Sequence, residues 1–172
     1  RQVVLTVFII SVAIMVFGLI FRVPLLQVVF GAIEPEVMEN AMIYFLITVV
    51  SYPFLALFNA GAAFFRAESN AKLPMFVAAG TNVLNIAGNA VFIFGMNMGV
   101  AGAACATLIA RCIELILVLG YVYGKKLALA CGPRGMFGWS KSFVFRFVET
   151  SAPVIANEFM WGLGTTMYSL AY

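Results

Sequence analysis

Residues Val3 to Phe21 read VVLTVFIISVAIMVFGLIF, a run of apolar residues without a charge. A helix rises about 1.5 Å per residue, so a run of this length matches the hydrocarbon core of a bilayer, which needs roughly 20 residues. It is too long and wrongly flanked to be a secretory signal peptide. Working outward, four further apolar stretches follow, and the pattern predicts helical spans near 3–30, 41–65, 74–95, 100–123 and 151–172. Barrel strands would show about ten residues of alternating apolar and polar character, and nothing in this sequence alternates that way. The expected fold class is all-α, a polytopic transmembrane helix bundle.

The charges between the spans support that reading. They fall as Arg1, then Glu34, Glu36 and Glu39, then Arg66 and Lys72, then none, then Lys125, Lys126, Arg134, Lys141 and Arg146. Basic and non-basic connections alternate, as expected of a chain crossing back and forth with its positive loops inside. The expectation is therefore a multi-pass plasma-membrane protein, in the bacterial inner membrane, with the residue 1 end cytoplasmic. With 64% hydrophobic and 10% charged residues, a soluble domain would have no polar coat, so the lipid bilayer is the first partner. The net charge of +3 is explained by orientation against an anionic leaflet rather than by nucleic acid.

Missing residue types restrict the chemistry. The chain has no His and no Asp, which removes His-based metal sites, Ser-His-Asp triads and aspartyl dyads from it. Cys105, Cys112 and Cys131 have no paired spacing, so neither a disulfide framework nor a zinc site is expected. No Gly-rich loop carries the Lys of a nucleotide site, so if the protein moves something, an ion gradient rather than ATP is the expected drive. An enzyme is not expected, and neither is a cofactor.

The connections sort into short turns and one long linker. Gly31 to Asn40 surrounds Pro35 with three glutamates and suggests an extracellular turn; FRAESNAKLP, Phe65 to Pro74, suggests a cytoplasmic one; GMNMG, Gly95 to Gly99, suggests a tight external one. Gly124 to Thr150 is the longest connection. Its first half has Gly and Pro breakers among basic residues, and in Ser142 to Glu149 the pairs Phe143, Phe147 and Val144, Val148 beside Arg146 predict a short interfacial helix. Residues 1–123 would then hold four spans of one lobe, 124–150 a cytoplasmic linker, and 151–172 the first span of another. A sequence opening on Arg1 and stopping at Tyr172 inside an apolar run is expected to be a fragment, with the missing helices of the same polypeptide as partners.

Polar residues inside spans are costly in hydrocarbon and face the bundle interior or a wet cavity. Asn82, Asn85 and Asn89 sit at i, i+3 and i+7, on one helical face, where they can bond across helices or line a pathway; interhelical bonding is the preferred reading. Gly99, Gly102, Ala103, Ala106, Thr107 and Ala110 give the next span a face of small residues made for close packing. Arg111 and Glu114, three apart on that helix, are adjacent and suit an intramembrane ion pair. Arg22, near Pro24, suits a snorkelling position. Glu158 has no basic residue within a turn and shares its face with Gly162, Thr165 and Ser169, beside a stripe of Asn157, Trp161, Gly164 and Tyr168. It is either an ion-coupling carboxylate or a residue bonded to another helix. Trp161 and Tyr168 are either packing residues or a wall for a cationic or aromatic ligand.

These residues carry a family resemblance. NAGAAFFRAESNAKLPM (59–75), NVLNIAGNAVFIFG (82–95) and GVAGAACATLIAR (99–111) resemble the central part of the multidrug and toxic compound extrusion (MATE) transporters, and APVIANEFMWGLG (152–164) resembles the opening of their seventh helix. One departure is Ser69, where that turn often has Gly. The resemblance implies a two-lobed, twelve-helix antiporter exporting organic cations or drugs against Na⁺ or H⁺ by alternating access. This chain would supply the third to seventh helices, with Glu158 matching a Glu found near this point in some bacterial members. Two alternatives are a lipid-linked oligosaccharide flippase of the same superfamily, which would line its cavity with several basic residues, and an integral membrane enzyme.

Overall fold

The computed structural model describes residues 2–31, 34–125 and 141–171, and the described residues form helices and no strands. In order these are α1 (Gln2–Ile20), α2 (Arg22–Phe30), α3 (Pro35–Ala67), α4 (Lys72–Ala90), a π turn (Val91–Gly95), α5 (Gly99–Gly124) and α6 (Lys141–Ala171). Four helical stretches are long and apolar enough to cross a membrane: Gln2–Ile20, Pro35–Ala67, Lys72–Gly95 and Gly99–Gly124. The protein is an all-α, multi-pass membrane bundle.

Several boundaries differ from the sequence expectation, each for a local reason. The first span breaks at Phe21 instead of running to residue 30. Pro24 has no N–H for the Ile20 carbonyl, whereas the bonds on either side, Phe21 to Phe17 at 2.9 Å and Leu25 to Phe21 at 3.0 Å, survive. The second span begins at Pro35, inside the expected turn, because proline suits the first helical position and Glu36 favours the first turn. Pro53 lies within α3 without ending it.

At the other end of the chain, Ser142 to Glu149 is not a separate short helix but the opening of α6, which continues through Pro153 to Ala171. Nothing between Ser142 and Ala152 is a Gly or Pro that would stop it. The expected fifth crossing falls in α6, which is not among the four stretches apolar enough to span; Asn157, Glu158, Thr165 and Thr166 dilute it. The expected linker at 126–140, with Cys131 and Arg134, lies outside the described residues, as do Arg1 and the side chains of Phe143, Val144 and Ser169.

The chain divides into two units, one carrying α1 to α5 and the other α6. In the first, α3 packs along α5 and α4 along the same helix from another side. The α3–α5 pair is parallel: Tyr44 and Val100 line one cavity at one end, while the rings of Phe65 and Tyr121 meet edge-on at 5.7 Å at the other. The α4–α5 pair is antiparallel, with Thr81 near Glu114 and Gly88 near Ala106.

Phe58, Ala62 and Phe65 of α3 pack with Val118 and Val122 of α5, covered by Leu73, Val77 and Ala78 of α4. This core sits at the end of the α3–α4 turn. At the opposite end the helices approach through small residues: a Cβ built on Gly102 would meet Phe92, and one on Gly88 would meet Ala106 at 3.2 Å. Gly102, Ala106 and Ala110 of the small-residue face are buried.

The α3–α4 turn is closed by backbone bonds. Asn70 N–H reaches the Phe65 carbonyl at 2.8 Å and Ser69 N–H the Arg66 carbonyl at 3.1 Å, the two bonds of a Schellman cap. Ser69 supplies the left-handed residue at φ 60°.

Candidate functional site

The polar residues of the first unit collect along the α4–α5 seam. On α4, Thr81, Asn85 and Asn89 follow one another at single-turn spacing, and on α5 Ala103, Thr107 and Glu114 lie on one stripe. Antiparallel packing brings the two rows together, so each polar group has a partner across the interface or one turn along.

Toward the π turn, the amides form a directed chain. Asn89 Nδ2 donates to Asn85 Oδ1 at 3.2 Å, Asn85 Nδ2 donates to Thr107 Oγ1 at 3.3 Å, and Thr107 Oγ1 donates to the Ala103 carbonyl at 3.0 Å. Each donation uses one lone pair of an oxygen that has two. Asn89 Oδ1 is buried and accepts nothing. The result is a cluster of neutral oxygens with acceptor capacity to spare, and oxygen is the ligand type that hard cations take. The helix also changes pitch beside it: the π turn begins two residues after Asn89, with Met96 N–H bonded to the Val91 carbonyl at 3.0 Å. Single π turns inside helices are frequent at functional sites.

One turn beyond Thr107 on α5, Arg111 Nη1 donates to Glu114 Oε2 at 2.7 Å. Glu114 is 2% exposed and Arg111 33%. The other carboxylate oxygen lies 3.3 Å from the Thr81 hydroxyl. That hydroxyl also sits 2.9 Å from the Val77 carbonyl and 3.1 Å from that of Ala78, and has one proton to give among the three. Glu114 thus ties its own helix to α4.

The structure brings Asn85 and Asn89 together with Thr107, and Arg111 with Glu114. It leaves Asn82 exposed and without a hydrogen bond among the described residues. Thr81 and Thr107 are the partners the sequence reading did not single out for bonding. The available signal was the single-turn row Thr81, Asn85, Asn89, which overlaps the asparagine stripe but contains a hydroxyl inconspicuous on its own.

On α6, Asn157, Glu158, Trp161, Thr165 and Tyr168 are exposed within their unit. The Thr165 hydroxyl bonds back to the Gly162 carbonyl at 2.9 Å or to that of Trp161 at 3.1 Å, which commits its proton within the helix. Among the described residues Glu158 has no hydrogen-bond or ion-pair partner. No cluster of three or more His, Cys, Asp or Glu occurs among them either, and Cys105 and Cys112 are free and half-buried. Arg22 is exposed at the start of α2.

Comparison with known proteins bears on the whole arrangement. The MatE family model matches residues 1–91, which include α1 to α4 and with them both asparagines of the seam. An uncharacterized transporter of Bacillus subtilis, YisQ, is 32% identical over 161 residues, covering 91% of this chain and 34% of the relative. Multidrug and toxin extrusion protein 2 of Mus musculus is 24% identical over 127 residues, 74% of this chain and 22% of the relative. The probable multidrug resistance protein YoeA of Bacillus subtilis is 29% identical over 123 residues, 69% of this chain and 26% of the relative. The chain therefore spans about a third of the length of the first of these relatives and less of the others. No solved structure matches it.

Proposed function

The chain belongs to the MatE family of transporters, and from that membership we propose that it works within a secondary antiporter that expels organic cations or drugs against an inward flow of Na⁺ or H⁺. The observation that carries the ion-coupled part is the α4–α5 seam. Asn85, Asn89, Thr107 and the Ala103 carbonyl offer a cation oxygens with unused lone pairs, and Asn89 Oδ1 is buried with nothing to accept. Leaving a buried acceptor unsatisfied costs about 1–3 kcal/mol, which a bound cation would recover.

Neutral oxygens favour an alkali cation over a proton, since no group in this set titrates. Occupancy would draw α4 and α5 together next to the π turn, and a preference for the closed seam in one of two global states is enough to bias alternating access. Glu158, unpaired among the described residues, supports a second coupling position on α6, the one a proton would use. The small-molecule substrate would be met in a cavity shared with further helices, to which Trp161 and Tyr168 suit an aromatic wall.

The test is transport by the full-length protein in proteoliposomes under imposed Na⁺ or proton gradients, with a fluorescent organic cation as cargo. Asn85→Ala and Thr107→Ala are expected to abolish the Na⁺ dependence, and Glu158→Gln to lower ion-coupled efflux. Efflux with unaltered ion dependence in the first two variants would remove the seam from the mechanism; the same result for Glu158→Gln would remove that residue.

A further inference from the structure

The Arg111–Glu114 pair is not explained by stability. Removing two charges from water costs several kcal/mol per ion, and well-packed apolar replacements of buried pairs are often as stable or more so. Its position gives it another use. Arg111 is four residues beyond Thr107 on α5, one turn away and on the neighbouring strip of the helix surface. A full positive charge there opposes any cation held by Asn85, Asn89 and Thr107.

Glu114 lies against that charge at 2.7 Å, with its second oxygen held by Thr81 from α4 at 3.3 Å. The other charged side chains of α3 and α4 among the described residues, Glu36, Glu39, Arg66 and Lys72, lie near the helix ends, Glu34 and Glu68 flank α3, and Lys125 follows α5. None of them is placed to cancel Arg111 at mid-helix.

We propose that Glu114 is a positioning residue for the seam: by neutralising Arg111 it lets the adjacent oxygen cluster accept a cation, and so sets that site's affinity. The inference rests on the cation reading of the seam given above. A unit charge roughly 10 Å away, at an effective dielectric of about 20, shifts a cation's affinity by on the order of tenfold. A merely structural pair predicts a different pattern. There, losing either partner alone strands a charge beside the buried α4–α5 contact and weakens the site, in Arg111→Gln as much as in Glu114→Gln.

The experiment is equilibrium binding of radiolabelled Na⁺ to the full-length protein in mild detergent, with monodispersity checked for each variant. Glu114→Gln should weaken Na⁺ binding roughly tenfold, while Arg111→Gln alone and the double variant Arg111→Gln, Glu114→Gln should stay within about threefold of the wild type or bind more tightly. Undiminished binding in Arg111→Gln, which leaves Glu114 buried and unpaired, is the signature that packing does not produce. Wild-type affinity in Glu114→Gln, or a double variant as weak as the single, would overturn the proposal. Because Arg111→Gln is a separate arm, weak binding there sinks the idea even if Glu114→Gln fails to fold. Na⁺ binding that survives Asn85→Ala unchanged would overturn the parent reading of the seam instead.

Discussion

Gly102→Ala is the substitution that most directly tests how the seam is held. A Cβ built on Gly102 lies 2.9 Å from the Phe92 Cβ, 3.0 Å from the Met98 Cβ and 3.1 Å from the Phe92 carbonyl carbon. None of these atoms moves when a side chain rotates, so relief must come from the backbone. Carbon atoms settle about 3.5–4.0 Å apart, and α5 must therefore back away from the π turn by roughly 0.5–1 Å. Overpacking of this kind costs about 1–3 kcal/mol, against which alanine regains about 0.5–1 kcal/mol of helix preference over glycine. The expected net loss is about 0.5–2 kcal/mol.

The displacement also has a functional reading. Thr107 lies five residues along the same helix, and its 3.3 Å contact with Asn85 has no slack before it leaves hydrogen-bonding range. Gly80→Ala is the control, since nothing lies within 4 Å of a Cβ there, and it should be neutral or stabilising by up to about 1 kcal/mol. Denaturation of the purified full-length protein in mild detergent, followed by helicity, compares the two; transport then reports the ion dependence. Equal stabilities with unaltered ion dependence would falsify the close-approach argument.

Three further substitutions probe separate parts of the bundle. Ser69→Gly should stabilise by about 0.5–1 kcal/mol in the same denaturation assay, because serine is held at φ 60° where glycine carries no Cβ penalty; a loss of stability would show that the Schellman cap is misassigned. Phe65→Ala should cost about 3 kcal/mol, since its ring is 1% exposed among Phe58, Ala62, Val118 and Val122, whereas Phe65→Leu should cost under about 1.5 kcal/mol; similar effects for both would place the core elsewhere. Thr81→Val keeps the shape but removes the hydroxyl facing Glu114, and by the modest worth of such bonds inside membranes should cost roughly 0.6–1.7 kcal/mol, a figure that a neutral result on thermal unfolding would refute.

Local rules made much of this protein legible in its residues. Hydrophobic run length marked the spans, and the i, i+3 spacing of Arg111 and Glu114 announced their contact, because both depend only on the pitch of one helix. The turn FRAESNAKLP and the breaker GMNMG were visible for the same reason. The break at Phe21 is a local effect too, since Pro24 cannot bond to the Ile20 carbonyl, but an unbroken apolar run hides it. The continuity of α6 from Lys141 was missed because an amphipathic opening and an apolar continuation look like two elements when composition changes within one helix.

Which faces meet was a different matter. The residues of α3, α4 and α5 all contain small side chains and all satisfy the demand for apolarity, and in lipid no hydrophobic driving force between helices selects one face over another. Only the tertiary structure packs α3 along α5 and puts Thr81 beside Glu114, thirty-three residues away, and Asn85 beside Thr107. Those pairings follow from close packing at Gly88 and Gly102, whose value depends on the shape of the opposing helix. Residue pattern alone dictates that this chain folds as membrane helices carrying a few polar groups; the fit of one helix surface into another makes those groups a seam.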